Sequence, residues 1–337
     1  MIKNRVVLSK YLLGLSFVGL LVSCSNDGAA PKKENTPKPV ERALETVSIK
    51  NFEIPFYEIR KDSFETDLSK MEKDFSLFFA SRRPMTEWKL RYENTYLKTF
   101  TDSVVDLFEN KYQWKNEFQN AINIYQKEFV NDVMPEVLLW NSAFEMSEGV
   151  WGYNNKLILG MDQYLGEDHM YYVQSPRYLA RKKDPKYIVR DLIKEFSTAK
   201  VKADPEDFSF LNKLLKEGRE LYFTSVMLPN ATDDVLLNCS PEKMKWAQEN
   251  EAEIWKYFIN QELLFSTDSK VDMAFLNEAP FSKFGQDFDK QSPGRVAGWI
   301  GLQIIRSLAE NESKMSLETI TGIDDAQSIL TLSKYKP

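Results

Sequence analysis

One amphipathic segment, residues 186–200, constrains the fold of this 337-residue chain more than any other stretch. Its apolar residues recur at three- and four-residue intervals, which predicts a helix with one buried face. Near the end of the helix the sequence reads K-E-F-S-T, with Lys194 and Thr198 four positions apart. These two residues therefore share one helical face, and Glu195 lies beside them.

The spacing of this pentapeptide is that of a known metal-binding motif. With histidine at positions 194 and 198 it would read H-E-x-x-H, the zinc-binding helix of the zincin metallopeptidases, in which the glutamate is the general base. Here Lys194 would carry positive charge toward a cation, and Thr198 is a poor zinc ligand. Only Glu195 keeps its place, and a solvated Lys-Glu pair on an ordinary helix is the simpler interpretation.

The N-terminus has the pattern of a bacterial lipoprotein signal peptide. Three basic residues occur among the first ten, and the apolar run at 11–22 is too short to span a bilayer comfortably. The run ends in L-V-S-C, which matches a lipobox. The pattern predicts that residues 1–23 are removed and that Cys24 is lipidated and anchors the chain to a membrane. The alternative is a plain secretory signal in which Cys24 is incidental.

Residues 24–45 predict a disordered tether, because they are rich in proline and lysine and poor in apolar side chains. A tether of this length has a reach of about 25 Å. It would hold a globular domain, residues 46–337, away from the headgroups. No dense acidic run follows Cys24, so we expect the domain to face the periplasm, with the choice between inner and outer membrane left open.

Charge and cysteine content argue against several kinds of binding partner and against a disulfide. Removing residues 1–23 takes away three of the 44 basic and none of the 50 acidic residues, which changes the net charge from −6 to about −9. This acidity argues against nucleic acid and against charge-driven binding to an anionic membrane. If Cys24 carries lipid, Cys239 has no partner, and we expect no disulfide.

The hydrophobic patterns predict an α+β fold that is mostly helical, with a small sheet. Glycine and asparagine at 149–155 indicate a turn between two strands, and Ser292 followed by proline is typical of a helix N-cap. The predicted elements are a strand at 47–59, helices at 63–79, 104–108 and 112–130, strands at 136–143 and 155–161, helices at 186–200, 207–228, 240–265 and 294–308, and a final helix that carries 324–330.

A helix with the sequence E-G-R-E-L-Y, beginning at Glu217, follows the helix that carries Lys194. In gluzincins an E-G-x-A-x-Y-like helix follows H-E-x-x-H and supplies the third zinc ligand. The order of elements therefore resembles a zincin-like single domain that has lost both histidines. The resemblance implies a vestigial site of Lys194, Glu195, Thr198 and Glu217, with no metal and no cofactor. We expect Glu195 and Glu217 to point toward one cleft, where Lys194 pairs with a carboxylate.

Longer motifs, spread from Cys24 to the C-terminus, resemble the GldB gliding-motility lipoproteins of Bacteroidetes. They are L-G-M-D-Q-Y-L-G at 159–166, D-P-K-Y-I-V at 184–189, E-G-R-E-L-Y-F at 217–223, A-P-F at 279–281, S-P-G-R at 292–295, W-I-G at 299–301, D-A-Q at 325–327 and S-K-Y-K-P at 333–337. The resemblance implies a periplasm-facing envelope lipoprotein tied to gliding motility and type IX secretion. Its partners would be other envelope proteins of these systems.

The single histidine limits the possible enzymes. A zinc hydrolase needs three protein ligands and an open position. Serine and cysteine nucleophile systems would all have to use His169. A Cys239–His169 pair is conceivable, although a small core residue is the simpler interpretation of this cysteine. A carboxylate-pair hydrolase such as Glu195/Glu217 needs no histidine and stays open as the alternative. We expect a non-catalytic binding or assembly protein.

Overall fold

In the computed structural model, which describes residues 44–337, a four-stranded sheet has helices packed on both faces. Strands β1 and β2 are parallel, β2 and β4 are parallel, and β3 forms an antiparallel hairpin with β4. The order across the sheet is β1-β2-β4-β3, so β1 and β3 are its edges. The strands are β1 Ser48–Asn51, β2 Glu136–Trp140, β3 Val150–Tyr153 and β4 Lys156–Gly160.

Helices make up most of the described chain, so the predicted α+β class, mostly helical with a small sheet, is confirmed. The α-helices are α1 Glu53–Glu58, α2 Phe64–Met71, α3 Ser76–Phe79, α4 Met85–Glu93, α5 Thr95–Asp106, α6 Trp114–Glu128, α7 Arg177–Arg181, α8 Ile188–Thr198, α9 Phe210–Met227, α10 Asp233–Leu237, α11 Pro241–Glu249, α12 Glu251–Asn260, α13 Ser269–Phe275, α14 Val296–Asn311, α15 Leu317–Gly322 and α16 Ala326–Ser333. None of the helices described here has the length and apolar character needed to cross a bilayer.

Alternate residues of the central strands face opposite layers, as the two-residue period of a strand requires. Val137 and Leu159 pack with α6 and α8 in one hydrophobic cluster. Leu138, Trp140 and Ile158 pack with α1 to α4 in another. A third cluster joins α9 to the helices that follow it, up to α16.

Helix α8 begins two residues later than predicted. Residues Pro185–Tyr187 form a single 3-10 turn, because the Asp184 carboxylate accepts a hydrogen bond from the Lys186 N–H at 2.9 Å. The apolar face of α8 is buried against the sheet and α6, as the spacing indicates. The helix ends at Thr198.

Helices α9 and α14 cross with their backbones in contact. A methyl group on Gly218 would lie 2.3 Å from the carbonyl carbon of Gly301, and one on Gly301 would lie 2.2 Å from the Leu214 oxygen. Only glycine allows so close an approach. The crossing brings the Glu217 side chain over Gly298, where an added methyl would be 2.8 Å from the Glu217 carboxyl carbon.

Two predictions in the N-terminal half are wrong in detail. The predicted strand at 47–59 stops at Asn51, because the Asn51 side chain accepts a hydrogen bond from the Glu53 N–H at 3.0 Å and α1 begins there. The predicted turn at 149–155 contains strand β3, and only Asn154 and Asn155 turn the chain. Asn154 has φ +54°, a left-handed conformation that asparagine tolerates.

Other helix boundaries also differ. The helix predicted at 240–265 is divided at Asn250 into α11 and α12, and the region before 291 contains α13. Ser292 is no N-cap: its hydroxyl donates to the Asp289 carbonyl at 2.7 Å and accepts from the Ser282 N–H at 3.0 Å. Arg295, with φ +59°, immediately precedes α14. The predicted segments 63–79 and 104–108 correspond to α2 with α3 and to the end of α5 with a π-helical turn.

Candidate functional site

A cavity of about 260 Å³, lined mostly by charged side chains, lies beside α8 and strand β3. Lys194 and Glu195 contribute from α8, and Val150 contributes from β3. The charged and hydrogen-bonding side chains that line it are Glu148, Gln163, Tyr164, Lys182, Lys183, Arg190, Asp191, Lys194, Glu195, Glu278 and Arg295. The helix that dominates the sequence pattern therefore forms part of a polar cavity.

Glu217 does not line this cavity, but it contacts two cations that do. The Lys194 ammonium is 4.0 Å from its carboxylate, and the Arg295 guanidinium forms a direct hydrogen-bonded ion pair with it. Burial alone would raise the pKa of Glu217, but Arg295 and Lys194 together hold its pKa below the usual range. Glu217 is therefore ionised and neutralised by its neighbours.

Lys194 also lies 3.4 Å from Glu220, the next carboxylate on the same face of α9. Glu220 in turn accepts a hydrogen bond from Lys216 at 2.6 Å. Lys194 is thus held by two carboxylates of the facing helix. Its ammonium occupies the space between α8 and α9.

Glu195 makes a different contact. One of its carboxylate oxygens accepts a hydrogen bond from the Gly152 backbone N–H at 2.9 Å. Gly152 lies in β3, and a methyl group there would be 2.8 Å from the same oxygen. The absence of a side chain at Gly152 therefore lets the carboxylate reach the strand.

Five other charged side chains of the cavity are paired with one another. Asp191 accepts from Arg190 at 2.5 Å and from the Tyr164 hydroxyl at 2.8 Å; burial and the Asp191 charge raise the pKa of this tyrosine. Lys182 bridges Glu148 at 3.2 Å and Glu278 at 3.0 Å. Each of these carboxylates has a cationic partner.

Lys183 is the cation of this cavity with a neutral partner. Its ammonium donates to the Gln163 side-chain oxygen. Burial, and then the nearby charge of Lys182, lower the pKa of Lys183. Removing water and placing a second ammonium nearby both disfavour its charged form.

Comparison with known protein families identifies the chain. The family model described as gliding motility protein GldB matches residues 32–337. The chain belongs to the GldB family. No curated protein and no solved structure matches it significantly.

Membership of the GldB family makes this a gliding motility protein of the cell envelope. It confirms the resemblance that the longer sequence motifs indicate. The zincin-like core stays a prediction, and so does lipidation of Cys24, which lies outside the described residues.

Of the four residues predicted for a vestigial site in this GldB-family protein, three lie together. Lys194 and Glu195 line the cavity, and Glu217, which does not line it, lies 4.0 Å from the Lys194 ammonium. Thr198 does not join them: its side chain is exposed and donates to the Glu195 carbonyl at 2.8 Å.

Sequence reasoning missed Arg295, the closest partner of Glu217. The two residues are 78 positions apart, so no helical spacing connects them. The available signal was a charged residue in the first turn of the helix predicted at 294–308, directly before its apolar run. Arg190 and Asp191, on α8 itself, were missed because they belong to the polar side of a helix recognised by its apolar side.

The residues of the other catalytic hypotheses have different surroundings. The His169 ring packs against Tyr171 and Tyr172, with centroids 5.1 and 5.8 Å apart. Cys239 is buried, and burial raises the pKa of its thiol to about 12. Within residues 44–337, no three His, Cys, Asp or Glu side chains are grouped so that they could hold a metal ion.

Proposed function

We propose that this GldB-family protein is a non-catalytic binding or assembly component of the gliding motility and type IX secretion apparatus, built on a pseudo-metallopeptidase scaffold. The observation that carries the proposal is the state of the two glutamates. Glu217 is neutralised by Arg295 and Lys194, and Glu195 accepts a hydrogen bond from the backbone of β3. Neither carboxylate is arranged as a free acid or base.

The position of Lys194 argues against a zinc centre between α8 and α9. A cation placed near its ammonium would meet a repulsion of several kcal/mol at the effective dielectric of a partly buried site. The carboxylates that remain are hard ligands, better suited to magnesium or calcium than to zinc. The donor set does not fit the ion that a zincin uses.

The alternative, a histidine-independent envelope hydrolase, needs a carboxyl group with a raised pKa to act as general acid. The pKa values of Glu217 and Glu278 are both lowered: in each case burial acts in the opposite direction but is outweighed by nearby cations, chiefly Arg295. This electrostatic arrangement favours binding over acid catalysis.

The proposal includes attachment to the envelope. A lipid on Cys24 would anchor the chain, and the tether at 24–45 would let the domain face the periplasm. Other envelope proteins of the motility and secretion systems would then be its partners. A cavity of paired charges suits a polar segment of such a partner, because charge complementarity selects the partner and fixes its orientation.

The experiment has two parts. The purified full chain should contain no stoichiometric zinc, and a chelator should leave its Tm unchanged. Glu195→Gln should restore gliding in a strain that lacks the protein, because glutamine keeps a hydrogen-bond acceptor but loses the acid. One zinc per chain with chelator-sensitive proteolysis would contradict the proposal. So would loss of gliding in the Glu195→Gln strain at normal protein level.

A further inference from the structure

A second cavity, of about 350 Å³, lies next to the first and shares Glu278 and Arg295 with it. Its wall is formed by α7, by the junction between α10 and α11, and by the segment that precedes α14. The vestigial-site residues Lys194, Glu195 and Glu217 are not in this wall. The cavity therefore needs its own explanation.

The charges in this wall are unbalanced. Three of its cations, Arg181, Lys243 and Lys290, have no carboxylate within ion-pair distance among residues 44–337. Lys243 donates instead to the Pro280 and Ser292 carbonyls. The one carboxylate in the wall, Glu278, is already paired with Lys182 at 3.0 Å. The cavity thus presents an excess of positive charge.

The helix geometry adds to this potential. Residues Gly294 and Arg295 line the cavity and immediately precede α14, a helix of 16 residues. The N-terminus of a helix carries a partial positive charge of about half a unit. Together with the unpaired cations, it makes an anionic group the natural occupant.

Asn238 indicates which chemical groups a ligand of this cavity would carry besides negative charge. Asn238 belongs to the cavity wall and is nine-tenths buried, with relative exposure of 9%, and its amide nitrogen and amide oxygen are enclosed by protein without a hydrogen-bond partner. A buried amide without partners is unfavourable, because it has lost its hydrogen bonds to water and gained none in the protein. A bare anion could accept from the nitrogen but could not donate to the oxygen. A peptide group offers both a donor and an acceptor.

The remaining wall is apolar. Leu237, Pro280 and Phe281 contribute carbon surface next to the charged and amide groups. An apolar side chain is the complement of this surface. Carboxylate, peptide group and apolar side chain occur together at the C-terminal residue of a peptide.

We propose that this cavity binds the C-terminal residue of a peptide that ends in an apolar amino acid. The free carboxylate contacts Arg181 and Lys243, and the terminal side chain packs on Phe281. The Asn238 side chain turns toward the cavity and its amide pairs with the last peptide group. The inference rests on this cavity alone and not on the role proposed for Lys194.

Calorimetric titration of the purified full chain in detergent tests the proposal. The probes are N-acetyl-Gly-Ala-Leu with a free carboxylate, the same peptide as its C-terminal carboxamide, inorganic phosphate and glycerol 3-phosphate. The free acid should bind, and the carboxamide should bind at least tenfold more weakly. Binding of neither peptide would overturn the proposal, and so would tighter binding of either phosphate than of the free acid, which would indicate a phosphate or lipid-headgroup site.

Two variants localise the binding. Arg181→Gln should weaken binding of the free-acid peptide at least tenfold. Arg60→Gln, a change at an exposed arginine outside the cavity wall, should leave this affinity unchanged. Asn238→Gly removes the amide, and glycine tolerates the left-handed backbone of this position, φ +57°. This variant should bind the free-acid peptide about fivefold or more weakly than the wild type. Equal affinity of the wild type and both variants, with folding verified by circular dichroism, would overturn the assignment.

Discussion

The Glu195 carboxylate caps the backbone N–H of Gly152, 2.9 Å away, on the free side of edge strand β3. An uncovered strand edge presents unpaired N–H and C=O groups to other chains, and natural proteins often protect it with charge. The residue that stands in the place of a general base therefore protects a strand edge. This contact gives Glu195 a structural role that can be measured.

Glu195→Ala should lower the free energy of unfolding by about 1–2 kcal/mol, because the Gly152 N–H loses a charged acceptor in a half-buried position. Glu195→Gln should cost less, since its side-chain oxygen can still accept. Urea denaturation measures both. Glu310→Ala, at an exposed position on α14, is the control and should change little. An equally small effect of Glu195→Ala would show that the hydrogen bond contributes no stability.

Arg295→Gln should destabilise the fold by about 3 kcal/mol, because it leaves the buried Glu217 carboxylate with Lys194, 4.0 Å away, as its remaining ion-pair partner. The double variant Arg295→Gln/Glu217→Gln should be more stable than the single one, since the unpaired charge is gone. Denaturant unfolding of the wild type, the two single variants and the double variant gives the coupling free energy between Arg295 and Glu217. Additive effects of the two substitutions would contradict the ion pair.

Stability should decrease in acid. The pKa of Glu217 lies below its ordinary value of 4.5 in the folded protein, because Arg295 and Lys194 outweigh burial. Its contribution is therefore fully present above pH 4.5 and is lost as the pH falls through the lower folded-state pKa. Unfolding measured between pH 6 and pH 3 should show a smaller loss for Glu217→Gln than for the wild type. Parallel curves would exclude Glu217 as a source of the acid sensitivity.

Gly218→Ala should destabilise the protein by about 3 kcal/mol or more, because its methyl group would meet the backbone of Gly301 at 2.3 Å. The matched control is Gly322→Ala in α15, where nothing lies within 4 Å of the added methyl. That change should be neutral or stabilising by up to about 1 kcal/mol. Similar melting temperatures for the two variants would contradict the close crossing of α9 and α14.

Cys24→Ser should abolish lipidation and leave unprocessed precursor, because serine has no thiol to acylate. Most of the variant should leave the detergent-extractable membrane fraction. Fractionation with labelling by a fatty acid measures both effects, and Cys239→Ser serves as the control for loss of a cysteine. Normal membrane retention and labelling of the Cys24 variant would overturn the predicted anchor.

The buried helices were the most predictable part of the fold. The apolar spacing of α8 and α9 identifies them because each buries one continuous face. Strand β3 was missed because it has only four residues, it is an edge strand, and Trp151 and Tyr153 are exposed on it. The pattern of a turn and that of a short exposed strand are hard to distinguish.

The site was predictable only where it followed helical periodicity. Lys194 and Glu217 lie on packed helices, and their proximity follows from the order of α8 and α9. The pairing of Glu217 with Arg295 depends on where α14 begins. The start of α14 depends on the left-handed backbone of Arg295 and on hydrogen bonds between Ser282 and the 292–296 segment. Hydrophobic periodicity predicts neither feature.

The contact between Gly218 and Gly301 has a consequence for recognition. Because the two backbones touch, α9 cannot slide along α14 or rotate about it without a clash. Glu217 and Arg295, one on α9 and the other directly before α14, are thus fixed in position by the main chain. Arg295 lines both cavities and is already ordered before a ligand binds. The protein therefore loses less conformational entropy when a ligand binds in either cavity.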